Sequence, residues 1–65
     1  MQITINQKPF ELPESATLQQ ALEAFSARPP FAVAVNQSFI HRQHYADTTL
    51  QADDQVEIVQ PVAGG

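Results

Sequence analysis

Only one stretch of this chain carries apolar residues at helical spacing. Leu18, Ala21, Leu22 and Phe25 fall at i, i+3, i+4 and i+7, which puts them on one stripe of one helix. The other apolar runs are short and bounded by turn signals, as strands are. At 65 residues there is room for one small domain. A lone helix stripe can be buried only against one face of a sheet, so the expected fold is a two-layer α+β domain. Part of the opposite sheet face is then left for a partner.

The boundaries follow from local chemistry. Ile3-Thr4-Ile5 and Phe10-Glu11-Leu12 alternate apolar and polar residues around the turn signal Asn6-Gln7-Lys8-Pro9, predicting a β-hairpin that Pro13 ends. Thr17 and Gln20 have the spacing of a capping box, in which the hydroxyl takes a first-turn amide and the Gln side chain reaches back. Pro29-Pro30 cannot continue the helix. Phe31 to Val35 predicts a strand with its large side chains on one face and only Ala32 and Ala34 on the other. Asn36-Gln37-Ser38 is a turn, and Phe39-Ile40 starts a short strand. His41 to Thr49 has no clean period and is expected to be loop with one helical turn, Leu50 plugging the core beneath it. Asp53-Asp54 is a turn, and Val56 to Val59 is the last strand. Ile40 and Val59 are the residues expected on the uncovered face.

Charge and composition narrow the function. The formal net charge is −4, and Lys8, Arg28 and Arg42 are the only strong cations. Three scattered cations cannot neutralise a run of phosphates, so nucleic-acid binding is not expected. An acidic module is instead steered toward basic partner surfaces. Without cysteine there is no thiolate catalysis, disulfide framework or Cys-based metal site. No segment has the length and apolarity of a signal peptide or a membrane span, and a cytoplasmic protein is expected. His41 and His44 form an H-x-x-H pair without a clearly spaced third ligand, so solvated loop histidines are the better reading. Asp53-Asp54 is better explained as a turn than as a metal or acid–base pair. Ser15, Ser26 and Ser38 have no paired base. The expectation is a carrier rather than an enzyme.

The strongest functional signal is the tail. Gly64 and Gly65 are the only glycines, and both are at the end. Without Cβ atoms they can thread a narrow channel and present a bare carboxylate. That carboxylate, with a reference pKa of roughly 3.3–3.7, is ionised at neutral pH. It can attack the α-phosphate of ATP held by a partner, giving an acyl-adenylate open to sulfur or an amine. The competing reading is a frayed end without function. Ordering the last five residues in a partner would cost about 5–10 kcal/mol, while burying Val62 returns about 1.5–3 kcal/mol. Pro61 lowers that cost through its fixed φ, and backbone pairing of the extended tail must supply the rest.

Taken whole, the chain resembles the sulfur carriers of thiamine biosynthesis, which are ubiquitin-like β-grasp proteins. The resemblance spans essentially its full length. It rests on Met1-Gln2-Ile3, on Val33-Ala34-Val35-Asn36-Gln37, and on Arg42 with Tyr45 shortly after. It rests further on Asp54-Gln55-Val56-Glu57-Ile58 and, above all, on Val62-Ala63-Gly64-Gly65. It implies a mixed sheet packed against one helix over residues 1–60, and a flexible tail over 61–65. It also implies Gly65 as the residue that becomes adenylate and thiocarboxylate, with Gly64, Ala63, Val62 and Pro61 giving access and holding the tail in a partner. The implied partners are an ATP-using adenylyltransferase, a cysteine desulfurase or sulfur relay protein, and thiazole synthase. No cofactor is held permanently and ATP belongs to the partner. Many members place Gly-Asp where this chain has Asp53-Asp54. The Pro61-Val62 tail is also similar to that of the small subunit of molybdopterin synthase, but the short passage from Phe25 to Val33 favours the thiamine branch. A ubiquitin-like conjugation or interaction module is the other alternative.

Overall fold

A computed structural model describes residues 1–61. Five strands and one α-helix form two layers. The strands are β1 (Gln2–Ile5), β2 (Lys8–Glu11), β3 (Ala32–Val35), β4 (Ser38–Ile40) and β5 (Gln55–Val59). The helix α1 spans Leu18–Phe25, and a short 3₁₀ turn spans Arg42–His44. The sheet order is β2-β1-β5-β3-β4, with β1 and β5 parallel and every other neighbouring pair antiparallel. The last strand therefore lies in the middle of the sheet, and the chain leaves the domain from its centre.

Both hairpins turn on the same dipeptide. Asn6-Gln7 and Asn36-Gln37 have φ of 51° and 70°, and 50° and 71°. Positive φ at both central residues matches the right-handed twist of the flanking strands. The first turn is tighter than the expected four-residue one, because Lys8 and Pro9 already belong to β2 and pair with Ile5 and Thr4. Pro9 is tolerated because β2 is an edge strand, where a missing N–H breaks no central ladder.

The helix starts as its sequence predicts but stops at Phe25, before Pro29-Pro30. Gln20 N–H donates to the Thr17 hydroxyl at 3.3 Å and Thr17 N–H to Gln20 Oε1 at 2.8 Å, completing the capping box. Ser26 ends it in the left-handed region at φ 61°, and Ala27 N–H reaches back to the Leu22 carbonyl at 3.1 Å. Glycine usually fills such a position, since it lacks the Cβ that crowds the left-handed backbone.

Leu18, Ala21 and Leu22 of α1 pack on Ile3, Ile5, Val33, Val56 and Ile58 of the sheet. Leu50 is 2 % exposed and plugs this core as expected. Tyr45, at 7 % exposure, is also core, which the polar stretch around it did not predict. The 41–50 segment is bound to the start of the helix. Leu18 N–H donates to the Thr48 carbonyl at 2.8 Å, Gln19 N–H to that of Tyr45 at 3.0 Å, and Leu50 N–H to that of Ala16 at 2.8 Å. The first amides of a helix have no intrahelical acceptor, and here the loop supplies two.

Candidate functional site

Strand β5 carries the chain to its tail. It is held on both flanks by asparagine side chains as well as by the ladder. Asn36 Oδ1 accepts the Gln55 N–H at 2.9 Å, and Asn36 Nδ2 donates to Asp54 Oδ1 at 3.0 Å. On the other flank the β1 ladder stops at Val56. Asn6 takes over there, its Oδ1 accepting Ile58 N–H at 2.8 Å and its Nδ2 donating to the Ile58 carbonyl at 3.2 Å. The amide group of Asn6 thus stands in for a further residue of β1.

Beyond the strand, Gln60 Nε2 donates to the Arg28 carbonyl at 2.9 Å. The root of the tail is thereby tied to the segment just before Pro29-Pro30. Pro61 is exposed and is the last described residue. Val62, Ala63, Gly64 and Gly65 lie outside the described residues.

The covered face of the sheet holds Val33 and, across from it, Ile58 and Ile40. Ile40 packs against the core and so is not on the uncovered face, contrary to the sequence expectation. Cross-strand partners share a face, and Ile40 is opposite the fully buried Val33. Its neighbour Phe39 points outward instead, 72 % exposed, and is paired with Ala34. Val59 is 65 % exposed and is paired with Ala32, as the alternation predicts. The uncovered face therefore offers Phe39 and Val59 with Ala34 and Ala32 between them, and Glu57 beside Ala34. An exposed aromatic and an exposed valine at opposite ends of a low alanine floor form an apolar patch of the type that marks interaction surfaces. Sequence alternation could have found Phe39 had the β3–β4 register been known.

The remaining candidates fall into structural roles. Among the described residues, no group of three His, Cys, Asp or Glu side chains stands close enough to hold a metal. His41 precedes the 3₁₀ turn and His44 ends it, both exposed. Asp53 takes φ 71° in the turn before β5, and Asp54 Oδ2 accepts Gln51 N–H at 2.8 Å. Ser15 and Ser26 sit at positive φ, and Ser38 opens β4.

Among the described residues, seven non-glycine residues adopt positive φ: Asn6, Gln7, Ser15, Ser26, Asn36, Gln37 and Asp53. The domain places asparagine, glutamine, serine and aspartate where glycine would be least strained. Its two glycines occur instead in the tail.

Comparison with known proteins identifies the family. The model of the ThiS family matches residues 2–65. The chain belongs to the ThiS family. The sulfur carrier protein ThiS of Escherichia coli (strain K12) is 32% identical over 66 residues, covering all of both chains. A crystal structure of the thiamine biosynthesis protein ThiS from Geobacter metallireducens superposes with a TM-score of 0.82 at 28% identity, again over all of both chains. A solution NMR structure from the same organism gives 0.81 at 28% identity, covering all of this chain and 88% of that one. The mixed five-stranded sheet on one helix is the ubiquitin-like β-grasp of ThiS structures. The chain is thus a small sulfur carrier of a family named for thiamine biosynthesis. Among the described residues, no helix is long and apolar enough to cross a membrane.

Proposed function

We propose that this protein carries sulfur for thiazole formation as a thiocarboxylate on Gly65. The Gly65 carboxylate attacks the α-phosphate of ATP bound to an adenylyltransferase and expels pyrophosphate. A persulfide from a cysteine desulfurase or a sulfur relay protein then attacks the acyl carbon and expels AMP. A second thiol cleaves the resulting acyl disulfide and leaves the thiocarboxylate, whose sulfur passes to thiazole synthase. The domain itself supplies no catalytic group and works in the cytoplasm. Residues 1–60 are the docking body and 61–65 the arm that carries the reactive carboxylate.

The observation that carries this reading is where the arm is rooted. It leaves from β5, the central strand, beside the patch of Phe39 and Val59. A partner gripping that patch would have the tail enter its active site directly. The body contact also answers the energetic problem, since ordering the tail costs more than burying Val62 returns. Phe39 and Val59 together can contribute roughly 2–5 kcal/mol if fully buried in a partner. Gly64 and Gly65 then allow close approach to ATP. The Escherichia coli and Geobacter relatives both bear thiamine-pathway or ThiS names, which favours this branch over molybdopterin synthesis.

The test is mass spectrometry of the intact protein after incubation with ATP, the adenylyltransferase and a sulfur source. The expected change is replacement of one oxygen by sulfur, absent when Gly65 is deleted. An unchanged mass beside an adenylyltransferase that activates another carrier would refute the proposal. Isopeptide adducts in cell extracts, lost on the same deletion, would favour a conjugation module instead.

A further inference from the structure

A second surface lies on the helix side of the tail root. The C-terminal part of α1, the Pro29–Phe31 segment and the 3₁₀ turn enclose an open groove of about 290 Å³. Its apolar wall is built by Leu22, Pro29, Phe31 and Tyr45; Arg42 lines the same groove, as does Glu23, whose Oε2 accepts from Gln19 Nε2 at 3.3 Å. The wall is preformed. Phe31 and Tyr45 stack with ring centroids 6.0 Å apart and planes 12° from parallel. Pro29 has a fixed φ. Filling the groove therefore orders little on this side, which keeps the entropic cost of docking low.

Two relationships say what belongs there. The first is continuity with the tail. Gln60 is hydrogen-bonded to the Arg28 carbonyl, one residue before the Pro29 wall. The root of the arm lies at the edge of the groove. An enzyme that holds the end of the tail in its active site is therefore kept within reach of the groove. The second is charge. Arg42 is exposed on a chain of net charge −4, and it forms no ion pair among the described residues. A guanidinium beside an apolar slot selects a carboxylate next to an apolar side chain.

We propose that this groove takes a segment of the adenylyltransferase that inserts one large apolar side chain against Phe31 and Tyr45 and pairs an adjacent carboxylate with Arg42. The proposal rests on the carrier function above and adds a second point of grip, on the opposite side of the sheet from Phe39 and Val59. Two grips astride the tail root fix its direction of entry, which one patch alone leaves free to rotate.

The experiment is steady-state adenylation of the carrier by the adenylyltransferase, with carrier concentration varied. Arg42→Glu reverses the charge, and Gln19→Trp hangs bulk over the groove from an exposed helix position. Both should raise KM for the carrier roughly five- to tenfold with kcat unchanged, the pattern of lost uniform binding. Gln43→Glu, on the same turn but outside this groove, should leave KM within about twofold. In a titration of isotopically labelled carrier with the enzyme, the amides of Phe31, Arg42 and Tyr45 should shift. A KM unchanged in both variants, or shifts confined to the Phe39–Val59 face, would overturn the groove proposal while leaving the carrier function standing. No adenylation of the unaltered carrier would overturn both.

Discussion

Asn36 binds Gln55 across nineteen residues of sequence, its Oδ1 taking the Gln55 N–H at 2.9 Å just where the central strand begins. The same side chain donates to Asp54, and its own N–H donates to the Gln55 carbonyl at 2.7 Å. One turn residue thus sets the register of the strand that delivers the tail. Asn36 also sits at φ 50°. Asn36→Ala should therefore destabilise the domain by about 2–3 kcal/mol, through lost side-chain hydrogen bonds plus the cost of a left-handed alanine. Asn36→Gly keeps the turn conformation and should cost only about 1–2 kcal/mol. Denaturant melts of the two variants separate the contributions, and equal losses would remove the conformational one.

Asp53 tests the opposite sign. Its φ of 71° lies in the left-handed region that glycine adopts without strain. Asp53→Gly should raise stability by about 0.5–1 kcal/mol, because relief of left-handed strain outweighs the greater entropy of the unfolded chain. A thermal shift upward is the expected outcome. A downward shift would mean that aspartate makes a compensating contact in this turn.

Tyr45 joins the 3₁₀ segment to the core through its stack on Phe31. Tyr45→Ala should cost about 3–4 kcal/mol, in the range of other large-to-small aromatic changes in cores. It should also speed amide exchange at Leu18 and Gln19, whose N–H groups depend on this segment for acceptors. Exchange at those two amides unchanged relative to the rest of the helix would show that the cap survives without the ring.

Phe39 and Val59 predict a split between stability and function. Both are mostly exposed, so Phe39→Ser and Val59→Ser should each change unfolding free energy by less than about 0.5 kcal/mol. In adenylation assays each should raise KM for the carrier roughly tenfold, because the lost apolar burial appears only in the complex. Variants that melt early but turn over normally would assign these residues to the fold instead of to the partner.

The legible parts of this molecule were the local ones. The helix stripe and the Thr17–Gln20 capping box depend on residues within a turn or two of each other, and each was found where the spacing put it, whereas the helix ended at Phe25 on the left-handed Ser26, before the Pro29-Pro30 stop was reached. Val59 on the open face followed from period-two alternation. The resemblance carried by the Val-Asn-Gln segment and the Gly-Gly end led to the right family. Ile40 and Phe39 were not separable by alternation, because a three-residue strand has no period of its own and its facing is fixed by pairing with Val33 and Ala34. Tyr45 was hidden because it reaches the core from an irregular segment, where no repeat marks which side chain turns inward.

What the sequence alone determined is the class of fold and the family, since one amphipathic stripe and a few short motifs are properties of neighbouring residues. The tertiary structure decided how the strand before the last residues is placed. It put the last strand at the centre of the sheet and tied Gln60 to the Arg28 carbonyl. It also left Phe39 and Val59 on one side of the root and the Phe31–Tyr45–Arg42 groove on the other. Those relationships join residues more than ten positions apart in the sequence, and only the closing of the sheet over its single helix brings them together.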